Sequence, residues 1–368
     1  MANTFKFGNK NWAVKKDSVL AYNDENNNFK PLPFDFTRDS IATYVDSDGL
    51  IKTAVQGEAR IDYLDNANGH LLLEPARTNL LPYSNDFTNG AYSKTRCTVT
   101  SNQAISPDGT QNADLMTATG DDARLEDTVG TAGQSTSMSL YVKSATGSDV
   151  DGQIDFSGAN IVTFTATNEW QRIDTTLTTL TIIPRLRVRI TNDGDSLYIF
   201  GGQVEYGSYP TSYIPTEGEI KTRVADACNG AGNSEVFNDS EGVLFAEISA
   251  LANDLTYRSI SINGYISLFY NNVSNTIVGN STGGALIIEQ LSDITSFNKI
   301  AFKYKANDFA LWVNGVELGT DTSGTTSNSL ITLNYDNGSG GSKWYGSTKQ
   351  IQYFDTALTD AELAALTT

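Results

Sequence analysis

Residues 184–191, PRLRVRIT, place Leu186, Val188 and Ile190 on one side of an extended chain and Arg185, Arg187 and Arg189 on the other. Alternation with period two marks a half-buried strand, apolar toward a core and polar away from it. The arginine side reads first as a solvated sheet face and second as a ligand site. The same alternation recurs upstream in TSMSLYVKS (136–144), where Met138, Leu140 and Val142 oppose Ser139, Tyr141 and Lys143. With NIVTFTAT (160–167), EWQRIDTTL (169–177) and SLYIFGGQVEY (196–206) there are strands enough for two stacked antiparallel sheets over residues 78–218.

That sandwich ends in GGQVEYGSYPTSYIPTEG (201–218). Gly201 and Gly202 inside the strand suit a bulge or a close backbone approach. Pro210 and Pro215 fix φ and cannot donate ladder bonds, so the chain leaves along a defined extended path. Tyr206, Tyr209 and Tyr213 would clamp that exit against the domain, giving a stiff hinge. Beyond it, GVLFAEISA (242–250), YRSISI (257–262), YISLFYNN (265–272) and NKIAFKYKANDFALWVNGVELGT (298–320) read as the strands of a second sandwich, residues 219–368. Asn314-Gly315 supplies a two-residue hairpin turn. Thr359 and Glu362 form a capping box for one short C-terminal helix.

The first 77 residues read as short hairpins, with Asp48-Gly49 turning SIATYVDSDGLIKTAV (40–55). They hold too few apolar residues for a core of their own, so this segment is expected to pack on a neighbour or a partner. The expected fold is therefore all-β: an N-terminal β-hairpin attachment segment (1–77), two antiparallel β-sandwich domains of jelly-roll type (78–218 and 219–368) and a short C-terminal helix.

A formal net charge of -18 over 368 residues argues against nucleic acid, whose nonspecific binding needs Lys and Arg to displace counterions. The charge also opposes an anionic membrane surface. No run approaches the roughly 18 apolar residues of a membrane-spanning helix, and the N-terminus lacks the apolar core of a secretory signal. Cys97 and Cys228 match no zinc or redox spacing and read as free thiols made in a reducing cytoplasm. His70 is the single histidine, which disfavours Ser-His-Asp, Cys-His and zinc chemistry. Paired carboxylates such as Asp151 with Asp155, or Glu317 with Asp321, do not form the alternating acid run of a sandwich glycosidase. An enzyme is not expected.

Several motifs in order carry a family resemblance. FDFTRDSIATYVDSDGLI (34–51), ARIDYL (59–64) and LLLEPARTNLLPYSNDF (71–87) resemble the N-terminal signature of tail-fibre and virion-appendage proteins of tailed bacteriophages. SPDGTQNADLM (106–116), EWQRI (169–173) and residues 201–226 resemble the carbohydrate-binding-type sandwich that follows it. FKYKANDFALWVNGVEL (302–318) and residues 345–367 are similar to the end of a concanavalin-A-like or laminin-G-like domain. The resemblance implies a virion structural protein, made in the host cytoplasm and displayed on the particle surface as a homotrimer. The N-terminal segment would bind other virion proteins, and the lectin-like domains would face host surface polysaccharide. A purely structural connector and a glycan depolymerase are its alternatives.

Sugar recognition on sandwiches uses aromatic faces with Asn, Asp and Gln around them. NYDNGSGGSKWYGS (334–347) offers Trp344 and Tyr345 beside Asp336 and Asn337 as the glycan-binding candidates, with a core position as the other reading of Trp344. Trp170 and Trp312 read as core, and Trp12 as part of an attachment surface. Related sandwiches often hold a structural calcium between first and last strands, which makes Asp86 and Glu205 the candidate ligands.

Overall fold

A computed structural model of the chain describes residues 3–23, 28–178, 181–326 and 329–368. Among the described residues it is all-β, with antiparallel strand pairing in every named sheet and one helix, Asp360–Thr367. The chain divides into two compact units along lines other than 77/78 and 218/219. The first comprises Met1–Asp39, Ala54–Pro75 and Ala225–Thr368, and the second Ser40–Thr53 and Ala76–Val224.

The first unit is a sandwich. One sheet orders Leu286–Gln290, Thr276–Ser281, Ile266–Tyr270, Arg258–Ile262 and Leu333–Asn334. The larger sheet is built around Gly346–Phe354, which pairs with Glu241–Ala250 on one side and Phe5–Gly8 on the other. Period-two apolar positions Ile260, Ile262, Ile266, Leu268, Tyr270 and Ile277 meet Leu244, Ile248, Phe302, Tyr304, Ile351 and Tyr353 in one core. Gly279 is a glycine because Phe302 lies across it: a Cβ there would stand 2.5 Å from the ring. On the other face of the large sheet, Phe245, Trp312 and Phe354 are sealed by Leu358, just before the helix, and by Leu363 within it. The Thr359–Glu362 capping box is present, so the helix starts where the sequence places it.

The described residues of 1–77 form no separate segment. Phe5, Phe7, Val19, Phe34 and Phe36 lie in the core of the first unit, because their strands extend its large sheet. Trp12 is half-buried against that core and donates its Nε1 hydrogen to Gly69 O at 3.2 Å, so the indole is part of the packing. The Asp48-Gly49 hairpin, Ala42–Val45 with Ile51–Ala54, belongs mainly to the second unit, where Ile51 packs with Ala113, Phe200 and Tyr213.

The second unit stacks two five-stranded sheets. One orders Ser93–Thr95, Ala123–Thr128, Arg185–Ile190, Val150–Phe156 and Ala159–Ala166; the other orders Cys97–Ile105, Gln111–Ala118, Ser196–Tyr206, Thr136–Ser144 and Gln171–Leu177. Leu186, Val188 and Ile190 point into their shared core with Met138, Leu140 and Val142, as the alternation requires. Gly201 has φ +66 and sits at a register shift against Ser139 and Tyr141, a bulge that only glycine adopts without strain. Past it the chain folds back onto its own sheet. Tyr209 and Tyr213 are buried, Arg172 Nη2 donates to Thr211 O at 2.7 Å, and Gln203 Oε1 accepts from Ile214 N at 2.6 Å. Lys221–Arg223 then pairs with Arg77–Asn79. Cys97 and Cys228 are free thiols.

Candidate functional site

A concavity of the first unit lies on the outer face of its smaller sheet. Because Ile260, Leu268 and Tyr270 turn inward, Ser259, Ser267 and Phe269 turn outward, and register sets Ser259 beside Phe269 and Ser267 beside Asn280. Tyr257, just before its strand, stands with its ring centroid 6.2 Å from that of Phe269 at an interplanar angle of 37°. Its hydroxyl donates to Asn272 Oδ1 at 3.1 Å, which fixes the ring while leaving it 46% exposed. A loop forms the opposite wall. Gly264, at φ +73, allows this, since a Cβ there would meet the Asn337 carbonyl oxygen at 2.5 Å.

The resulting hollow measures about 230 Å³ and is lined by Tyr257, Ser259, Gly264, Ser267, Phe269, Asn280, Asn337 and Ser342. Every lining side chain is uncharged. Two aromatic rings beside hydroxyl and amide groups are the elements that bind a sugar ring: an apolar face to stack on and donors and acceptors for its hydroxyls.

The sequence candidates divide around this hollow. Asn337 lines it; its Oδ1 accepts from Ser339 N, Ser339 Oγ and Gly341 N at 3.1, 2.9 and 3.0 Å, which stiffens the loop. Asp336 is buried beneath it, with Oδ1 accepting from Gly338 N at 2.6 Å and Oδ2 from Asn229 Nδ2 at 3.0 Å. Its carboxylate ties the loop down and does not face the hollow. Trp344 is 1% exposed and packs on Tyr270 with centroids 5.3 Å apart, so it is a core residue and not a stacking platform. Tyr345 is half-buried. Trp312 is buried under the helix, and Trp170 is half-buried with its Nε1 donating to Ile105 O at 3.1 Å.

Glu205 is fully buried. Its Oε1 accepts from Gln203 Nε2 and Thr211 N, both at 2.7 Å, and its Oε2 from Thr211 Oγ1 at 2.7 Å. Asp86 is exposed and accepts from Thr88 Oγ1 at 2.6 Å within its own turn. The two share no hydrogen-bond partner, and among the described residues no three His, Cys, Asp or Glu side chains are grouped to hold a metal ion. Glu205 instead fastens the returning segment to the sheet.

His70 is buried, with its Nδ1 lacking a hydrogen-bond partner and Asp62 Oδ1 4.0 Å from its Nε2. Burial, reinforced by Lys349, pulls its pKa down to about 4, so the imidazole is neutral and structural at neutral pH.

No family model matches the chain, and no curated protein matches it in sequence. Similar solved structures include the carbohydrate-binding module CBM40 of the Ruminococcus gnavus IT-sialidase bound to α2,3-sialyllactose, at 15% identity and a TM-score of 0.31 over 38% of this chain and 94% of that one. The CBM22 tandem of Paenibacillus barcinonensis Xyn10C covers 76% of this chain and 98% of its own at 10% identity and a TM-score of 0.27. Trypanosoma rangeli sialidase in complex with sialic acid covers 95% and 65% at 10% identity and a TM-score of 0.30. These neighbours are mainly carbohydrate-binding β-sandwich modules; at such TM-scores they decide nothing about the ligand of this chain.

Proposed function

We propose that this protein is a non-catalytic glycan-binding component of a tailed-bacteriophage appendage, engaging host surface polysaccharide through the hollow beside Tyr257. The observation that carries the binding reading is the pairing of Tyr257 and Phe269 with Ser267, Asn280 and Asn337 in one uncharged hollow. A lining without acids favours a neutral sugar ring, since no carboxylate repels or pairs with it. It also supports binding over cleavage, because glycosidic hydrolysis needs two carboxyl groups at the bond and the lining holds none. The virion setting is supported by the order of sequence motifs along the chain, from FDFTRDSIATYVDSDGLI to the C-terminal helix. A shallow single-ring site binds weakly by itself, and an appendage that arrays three copies would turn this into avidity.

The test is a bacterial-polysaccharide array probed with the folded chain, with and without calcium, followed by reducing-end assays on every polysaccharide bound. Binding without release of reducing ends supports the proposal. Release of reducing ends would make the protein a depolymerase, and silence across the array would leave a structural decoration.

A further inference from the structure

The arginines of Arg185–Ile190 belong to a charged strip in the second unit that the Tyr257 hollow does not involve. Arg189 lies directly opposite Arg124 in register, and Arg187 opposite Glu126. Like charges facing each other across strands cost stability, so the Arg124–Arg189 pair requires a countercharge. Asp122 provides it, taking Arg189 Nη1 at 3.1 Å, Arg124 Nη2 at 3.5 Å and Arg96 Nη2 at 3.8 Å. Further along, Asp155 pairs with Arg187 and with Arg189 Nε, and Glu126 with Arg185 and Arg187. Five guanidiniums thus share three carboxylates, on a chain of net charge -18.

The two ends of the strip differ. Arg187 and Asp155 are closed off, with the N–H of Gly158 donating to Asp155 Oδ1. At the other end the Asp122 side chain is 45% exposed, and those of Arg124 and Arg189 keep 28% and 20% of their surface. A hollow of about 390 Å³ lies on this same sheet face, lined by Gln153, Thr163, Thr165, Thr191 and Asp151. Gln153 is opposite Arg189 in register, so hollow and strip adjoin. The Phe164 ring packs in the core, which leaves the hollow walled by hydroxyls, an amide and one carboxylate.

We infer that this face is a second binding site, for a saccharide that carries a carboxylate. The sugar hydroxyls bond to Gln153, Thr163 and Thr165, and the carboxylate takes the place of Asp122 against Arg189 and Arg124. Guanidinium pairs with carboxylate through parallel N–H···O bonds, a geometry that an ammonium cannot copy. Exchanging one carboxylate for another leaves no guanidinium uncompensated, and the half-exposed Asp122 can return to water. Asp122 is then an internal stand-in for the ligand, and its charge competes with the ligand.

The experiment titrates the full chain with galacturonate, glucuronate and mannuronate oligosaccharides, each beside its carboxyl-reduced form, following heat and backbone amide shifts. At least one acid should bind at least tenfold tighter than its reduced form. Asp122→Asn should tighten that binding several-fold, Gln153→Ala should weaken it at an unchanged denaturation midpoint, and Tyr257→Ala should leave it alone. That last variant separates failure here from failure of the Tyr257 hollow. Absence of binding by all three acids at millimolar concentration, equal affinity for acid and reduced forms, or weaker binding by Asp122→Asn would each overturn the inference.

Discussion

Arg60 and Asp226 meet at 2.6 Å in the first unit with neither side chain exposed. Asp226 also takes Arg38 Nη1 at 3.1 Å and the backbone N–H of Glu74 at 2.8 Å, while Arg60 Nη1 pairs with Glu74 at 2.6 Å. Burial works against the Arg60 charge, but Asp226 and Glu74 outweigh it and hold the guanidinium protonated. Four segments distant in sequence are thereby joined inside one polar cluster. Removing one partner of such a cluster strands buried charge. Asp226→Asn is predicted to destabilise the first unit by about 3–5 kcal/mol, read as a shift of its denaturant transition.

Trp344 and Tyr257 should respond in opposite ways. Trp344→Ala empties a buried site and should cost about 3–5 kcal/mol of stability. Tyr257→Ala removes a half-exposed ring and should change the midpoint little while weakening glycan retention on the array. Equilibrium unfolding and array binding of the two variants check both.

Stability should depend on pH through His70. Its folded pKa, about 4, lies below the unfolded value of 6.5, so the unfolded chain binds the proton first. The contribution is fully present above pH 6.5, and is lost as pH falls toward 4, amounting to about 3 kcal/mol. His70→Gln should flatten the denaturation midpoint across that window relative to the parent chain.

Glu205→Gln should destabilise the second unit by about 1–3 kcal/mol, since Oε1 and Oε2 accept three bonds inside the protein. The loss should be the same in calcium and in chelator, as measured by thermal unfolding. A loss seen in calcium alone would return Glu205 to an ion-binding role.

What was legible in the sequence was local. The period-two runs at 136–144 and 184–191, the Asn314-Gly315 turn and the capping box at Thr359 each carry their own geometry; the inward alternation, the turn and the cap are found as read, while Arg187 and Ser139 are buried on faces that read as solvated. The misreadings come from pairing across long separations. Phe5 and Phe7 join the core because Phe5–Gly8 pairs with Gly346–Phe354, a partner some 340 residues away that no local pattern announces. The Gly-Ser loop before Trp344 reads alike whether the indole turns outward or inward, and its packing on Tyr270 decides the matter. Tyr257 and Phe269 read in the sequence only as parts of strand runs; the register that sets Phe269 beside Ser259, and the packing of the Tyr257 ring against Phe269, show that they share one face. The alternation that reveals such a face was present in YISLFYNN, where Phe269 falls between Leu268 and Tyr270.

The measurement that bears most directly on the binding role is the affinity of Tyr257→Ala, relative to the parent chain, for the strongest polysaccharide on the array. Stacking lost from one aromatic face predicts a fall of about tenfold, about 1.4 kcal/mol, with the unfolding midpoint unchanged. Unchanged affinity in a folded Tyr257→Ala protein would contradict the account and remove this hollow as the glycan site.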